Sequence, residues 1–308
     1  MKDGRALSRI EADRVELKPA ASRTSGSLAD YLALAKPRLN LLVVATSAAG
    51  YYMGASGTPE IGPMAQTVIG TALVAGGAAA LNQVYERDTD TLMRRTRMRP
   101  LPAGRVEAAD ARVFGFLLSA LGLGLLALQA NLIAAALALA TIVIYLVVYT
   151  PMKRRTSLAT LVGAVPGALP PLIGWTASHG SVSLGGAVLF AIVFLWQIPH
   201  FMAIAWLYRD DYGHAGFPML PVVEPDGRRA GRQAVLYAAA LFPVSLVPAI
   251  IGAAGGIYLS VAFVLGIALL GLAIRFARAR TDETARWLFF GSITYLPLIW
   301  IVMIADRL

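Results

Sequence analysis

Apolar residues run along this chain in long blocks, broken by short polar stretches and by two longer ones. Nine blocks stand out, at roughly residues 38–57, 63–85, 111–128, 132–150, 158–177, 184–207, 234–252, 257–275 and 285–305. Each approaches the ~20 residues an α-helix needs to cross a bilayer. The pattern predicts an all-α, polytopic membrane protein with nine transmembrane helices. The Gly- and Pro-rich stretch from Gly163 to Pro171 blurs the fifth block, so the pattern alone also admits eight or ten crossings.

Composition agrees. Of 308 residues, 57% are hydrophobic and 15% charged, and the mean hydropathy is +0.64. A soluble domain of this length carries more charge and less continuous apolar sequence. There are no cysteines, which excludes disulfides, thiolate nucleophiles and Cys-ligated metals.

The net charge of +9 is explained by where the basic residues fall, and nucleic acid is not needed as a partner. Lys and Arg crowd the N-terminal segment, the stretch from Arg87 to Arg112, Lys153–Arg155, Arg209–Arg232 and Arg275–Arg286. The connections after blocks 1, 3, 5 and 7 hold none. This asymmetry places the N-terminus and the exits of even-numbered helices in the cytoplasm. Residues 1–28 are polar, lack an apolar signal core and contain Glu11, Asp13 and Glu16, so they read as a disordered cytoplasmic tail before a membrane domain at 29–308.

The two long cytoplasmic connections, about 86–110 and 208–233, each follow a helix end rich in acids. Long connections are where function concentrates. Asn82, Glu86 and Asp90 recur at four-residue intervals, on one helix face. Carboxylates there suit Mg²⁺ shared with a phosphate. The spacing equally fits a solvated helix end with Glu86 paired to an arginine. Asp210 and Asp211 form the second acidic end, whose mutual repulsion calls for a cation that Arg209 is placed to supply. A Pro-Leu-Pro-like turn follows each end, at Arg99–Pro102 and Phe217–Pro221, which reads as a weak internal duplication. The dense Arg and Lys beside these acids suit a metal-bridged polyphosphate or, more plainly, anionic lipid headgroups.

The string Asn82-x3-Glu86-x3-Asp90 resembles the first acidic motif of the UbiA-like intramembrane prenyltransferases. Further strings narrow the resemblance: Lys36-Pro-Arg38, Met93 to Pro102, Tyr149 to Thr156, Gly167 to Trp175, Trp196-Gln-Ile-Pro-His-Phe201 and Asp211 to Pro221. In this order they are similar to the branch of that superfamily that prenylates heme, from about Lys36 to the C-terminus. The resemblance implies a nine-helix prenyltransferase bundle in the bacterial inner membrane, with its active site cytoplasmic. It implies Mg²⁺ held by Asn82, Glu86, Asp90 and Asp211, with Arg38, Arg95, Arg99, Lys153, Arg154, Asp210 and Tyr212 binding substrate. The implied substrates are farnesyl diphosphate and heme b, and the product would pass to a downstream heme-modifying membrane protein. By this analogy a heme vinyl group attacks the farnesyl cation and water captures the carbocation that results. Quinone-type members carry more acids in the second motif than Asp210 and Asp211 supply.

Of the three histidines, His179 falls in an outer loop and His214 in the second active-side loop. His200 lies within a membrane helix, where an ionisable group is either functional or a hydrogen-bonded core residue, here through Gln197. The resemblance places it in a family motif and makes it a candidate for heme binding or catalysis. Two other readings compete: a prenyltransferase acting on a quinone or chlorin precursor, and a transporter built from repeats. Transporter sites lie near the bilayer midplane, whereas these acids gather at one surface.

Overall fold

The computed structural model describes residues 26–308, so the expected polar tail lies outside it except for residues 26–28. The chain is helical almost throughout. Helix α1 spans Leu28–Leu34, α2 Pro37–Gly54, α3 Ile61–Tyr85, α4 Arg87–Asp90 and α5 Ala108–Gln129. Helix α6, Leu132–Val143, runs through a π-helical segment, Ile144–Tyr149, into α7, Thr150–Met152. Then come α8 Ala159–His179, α9 Leu184–Leu207, α10 Arg209–His214, α11 Leu220–Val223, α12 Arg228–Ile250, α13 Gly256–Ala279 and α14 Asp282–Ala305.

Among the described residues, seven segments are long and apolar enough to cross a membrane: α3, α5, α6 through α7, α9, α12, α13 and α14. This is a multi-pass membrane protein. Helices α2 and α8 match two further expected blocks but fall below that apolarity, because α2 carries Arg38, Asn40, Thr46 and Ser47 and α8 carries prolines, glycines and hydroxyls. They compensate by packing on each other. A side chain at Gly50 would strike the Pro171 backbone, and one at Gly174 the Ser47 carbonyl. Small residues let α3 and α5 approach in the same way, with a Cβ at Gly77 coming 2.6 Å from the Gly115 carbonyl oxygen. Bulky apolar side chains on α5, such as Phe116 and Leu121, face outward as a lipid surface requires.

Two boundaries differ from the sequence expectation. Helix α8 continues unbroken through Pro166, Pro170 and Pro171, since neighbouring helices enclose the freed backbone groups. Helix α12 starts at Arg228 rather than near 234, because Gly227 in a left-handed turn (φ 69°) launches it before the apolar block begins.

The helices form two groups. Helices α2, α3, α5, α6 and α8 pack together, as do α9, α12, α13 and α14, and α8 against α9 joins the groups. The larger core lies in the second group, around Trp196, Tyr258, Leu288 and Tyr295. The acidic ends of α3 and α9 emerge at the same end of the bundle, which is where the cavities lie.

Candidate active site

The tip of α3 kinks at Glu86, yet the i to i+4 hydrogen bonds from Glu86 N to Asn82 O (2.9 Å) and from Asp90 N to Glu86 O (2.8 Å) persist through the kink. Asn82, Glu86 and Asp90 therefore keep one face, and all three line a polar cavity of about 130 Å³. All are buried, Asn82 and Asp90 to 1% exposure. Lys153 Nζ sits 2.9 Å from Glu86 Oε1, and Arg99 Nη1 sits 2.7 Å from Asp90 Oδ2. Thr96 donates to the Asp90 carbonyl at 2.8 Å and fixes the turn that returns Arg99. Asp90 Oδ1 is buried without any hydrogen-bond partner.

The π-helical segment forms the opposite wall. It stacks Tyr145 on Tyr149, ring centroids 5.4 Å apart, and both line the cavity. Tyr145 donates to Asn82 Oδ1 at 3.4 Å, while Asn82 Nδ2 donates to Thr150 at 3.0 Å. Lys153 Nζ stands 4.5 Å from the centre of the Tyr149 ring. Burial alone would depress this ammonium, but Tyr149, Glu86 and Tyr145 outweigh burial and hold it protonated well above the ordinary lysine value.

Lys36 completes the rim. Pro37 disfavours the right-handed helical region for the residue before it, and Lys36 adopts the left-handed conformation (φ 50°, ψ 57°). Its side chain lines the cavity with Glu86 and Asp90. Burial, then the Arg99 and Lys153 charges, pull its ammonium down to about 7.

The two loops meet above the cavity. Arg95 lies over the rings of Tyr208 (5.4 Å) and Tyr212 (5.9 Å) and reaches the Tyr212 hydroxyl at 3.5 Å. Met93, Ala215 and Phe217 bury together and fasten the loop after α4 to that after α10. Tyr212 faces the polar cavity, but Asp210 and Asp211 line a separate groove of about 500 Å³ on the other side of Arg95. Among the described residues, no three acidic or imidazole groups stand close enough to share one metal ion. A second chamber of about 420 Å³ extends from the polar cavity into the bundle, sharing Lys36, Arg99, Tyr145 and Tyr149 with it and lined beyond them by Val43, Ala75, Ala79, Gly163 and Phe201.

Other expected residues stand apart. Arg38 and Arg154 are exposed and line none of these cavities. His200 turns toward α14: its ring lies between Trp196 (5.0 Å) and Phe289 (5.1 Å), and Nδ1 meets Ser292 Oγ at 2.9 Å. The expected bond from Gln197 to His200 is not formed, because the Gln197 amide nitrogen donates instead to the carbonyls of Ala164 and Val193. His179 is exposed, as expected, and His214 sits on α10 with Nδ1 2.7 Å from the Asp210 carbonyl oxygen. Sequence reasoning missed Lys36, Tyr145, Tyr149 and Gln197 as cavity residues. A lysine opening an apolar block before proline was the available signal for the first.

A family model described as the UbiA prenyltransferase family matches residues 43–294. Similar proteins include the protoheme IX farnesyltransferase of Solibacter usitatus, 47% identical over 90% of this chain and 98% of that one. That of Opitutus terrae is 46% identical over 92% and 97%. Among solved structures, one of a digeranylgeranylglyceryl phosphate synthase superposes with a TM-score of 0.78 at 18% identity, over 91% of this chain and 98% of that one. A UbiA homolog from Archaeoglobus fulgidus bound to GPP and Mg²⁺ gives 0.65 at 18%, over 90% and 99%. With that model spanning most of the chain and relatives this similar along nearly its whole length, the chain belongs to the UbiA prenyltransferase family.

Proposed function

We propose that this enzyme transfers the farnesyl group of farnesyl diphosphate to a vinyl group of heme b, with addition of water, to give a hydroxyethylfarnesyl heme. The observation that carries the reading is the polar cavity opening into an apolar chamber. Acids and cations at the mouth suit a diphosphate, and the chamber behind it suits a prenyl chain. The acceptor follows from the relatives named as protoheme IX farnesyltransferases.

The orphaned Oδ1 of Asp90, beside Glu86 and the Asn82 carboxamide, fits a divalent cation. Asn82, Glu86 and Asp90 would hold Mg²⁺, and Asp211, which lines the adjoining groove beyond Arg95, would be the further ligand the family motif implies. When bound, the ion would neutralise the leaving pyrophosphate. The chain's own cations do the rest. Lys153, Arg99 and Arg95 meet the diphosphate oxygens and favour departure of the leaving group. Tyr145, Tyr149 and Tyr212 enclose the first prenyl carbon and keep bulk water from the cation. Arg38, Arg154 and Asp210 serve the approach of substrate at the membrane surface. The cavity end faces the cytoplasm, following the basic clusters there, and the product passes to a downstream heme-modifying membrane protein.

The purified protein in detergent, given farnesyl diphosphate, Mg²⁺ and either heme b or 4-hydroxybenzoate, tests the reading. The expected result is a farnesylated heme by mass spectrometry and no prenylated benzoate. Prenylation of the benzoate with heme left unchanged overturns it.

A further inference from the structure

Gln197 is buried to 6% exposure in the middle of α9, and its side chain lines the apolar chamber. It lies ten residues before the end of α9 at Leu207, about 15 Å along the helix axis. Its amide nitrogen is held by two carbonyls, Ala164 O at 3.0 Å and Val193 O at 3.1 Å, which fixes the orientation of the carboxamide. Among the described residues no donor reaches its Oε1. That oxygen sits in a notch that only glycine leaves open, since a Cβ at Gly167 would collide with it. The residue is buried, but this oxygen opens on the chamber, where a fixed acceptor without a protein donor takes its donor from whatever occupies that space.

The chemistry of the substrates limits what that ligand is. A farnesyl chain has no hydrogen-bond donor, and metallated heme offers none from its ring nitrogens. Water is the donor that remains, and the reaction proposed above consumes one. The position agrees. The Tyr149 ring packs against Gly163 and stands beside Lys153, and Gly167 with its Gln197 partner lies one helical turn further along α8.

We infer that Gln197 is a positioning residue for the water that captures the carbocation, and so decides that the product carries a hydroxyl. This rests on the heme-farnesylating reading. The C–O bond of the donor breaks and its electron pair leaves with pyrophosphate. The vinyl π pair forms the new C–C bond and leaves a cation on the carbon next to the macrocycle. A lone pair of the water held at Oε1 forms the C–O bond, and the proton released goes to the pyrophosphate. Without a held water, the same cation loses a proton from the adjacent carbon to pyrophosphate and ends as an alkene lighter by one water.

The test measures the ratio of hydroxylated to alkene heme by mass spectrometry for the full-length protein and for Gln197→Leu and Gln197→Glu. Leu removes the acceptor and Glu retains one. The expected result is slower but continuing farnesyl transfer in Gln197→Leu, with the ratio shifted toward alkene by about tenfold, the worth of one hydrogen bond. Gln197→Glu restores the hydroxylated product. If Gln197→Leu does not accumulate, Gly167→Ala displaces the same oxygen from its notch and carries the same expectation. An unchanged ratio in these variants overturns the inference. So does complete loss of transfer in folded Gln197→Leu, which would put the amide ahead of C–C bond formation. Failure of the unsubstituted protein to farnesylate heme at all is a different outcome and overturns the functional reading instead.

Discussion

The two ends of the bundle treat their charged groups in opposite ways. At the end away from the cavities, the C-terminus is fully tied. Asp306 accepts from Tyr258 N at 2.7 Å through its carboxylate and from Gly255 N at 2.8 Å through its carbonyl. Arg307 donates to the carbonyls of Gly57 and Ala55 and lies 4.9 Å from the centre of the Tyr52 ring. At the cavity end, Asp90 keeps a buried oxygen without a partner, and half-buried Lys36 has its ammonium weakened. The buried indole N–H groups of Trp175 and Trp300, toward the far end, also lack partners, but they are neutral; a carboxylate oxygen left open is the group with capacity for a cation. The contrast is between a charge left open at one end and charges spent on closure at the other.

The comparison breaks most sharply at the acids. Glu86→Gln or Asp90→Asn should lower farnesyl transfer by about a thousandfold or more while the protein still inserts and purifies, as a heme product assay beside size-exclusion chromatography would show. Retained turnover in either variant would move the chemistry elsewhere. Lys153→Met comes next. It leaves Glu86 buried without its partner, so a cost of about 3 kcal/mol in thermal stability is expected beside a turnover loss of about a hundredfold. At the far end, Arg307→Ala should cost about 1–2 kcal/mol of stability and leave turnover at saturating substrate unchanged. A large fall in turnover there would erase the distinction between the two ends.

The smallest effect concerns pH. Lys36 is pulled down to about 7 in the fold, below the ordinary lysine range. Between about pH 7 and that range the folded chain therefore binds fewer protons than the unfolded chain, and stability rises with pH. Lys36→Met should flatten that rise in detergent melts from pH 7 to 10, an outcome that a slope identical to the parent's would contradict.

Much of this architecture was legible in the residue pattern. Seven membrane spans followed from apolar blocks alone, and the spacing of Asn82, Glu86 and Asp90 placed them on one face that the helix kink preserves. The second acidic end was less legible. Adjacent acids such as Asp210 and Asp211 carry no spacing from which a helix face can be read, and the orientation of α10 is set by Phe217 and Met93 burying together across two loops. His200 looked functional because it is ionisable within a membrane helix, but its neighbours on α14 engage it, which no spacing within α9 reveals. Tyr145 and Tyr149 stand four residues apart, which an ordinary helix also puts on one face, but two aromatics at that spacing in an apolar block read as packing until the cavity beside them is seen.

The change of pitch at Ile144–Tyr149 has a consequence for register. A π-helical segment holds one residue more than the α-helical turns it replaces. Were all six residues from Ile144 to Tyr149 wound as ordinary α-helix instead, everything downstream would swing by about 100° around the axis. The lysine that now meets Glu86 would then turn away from it, so one surplus residue in the winding of a helix sets which way this charge looks.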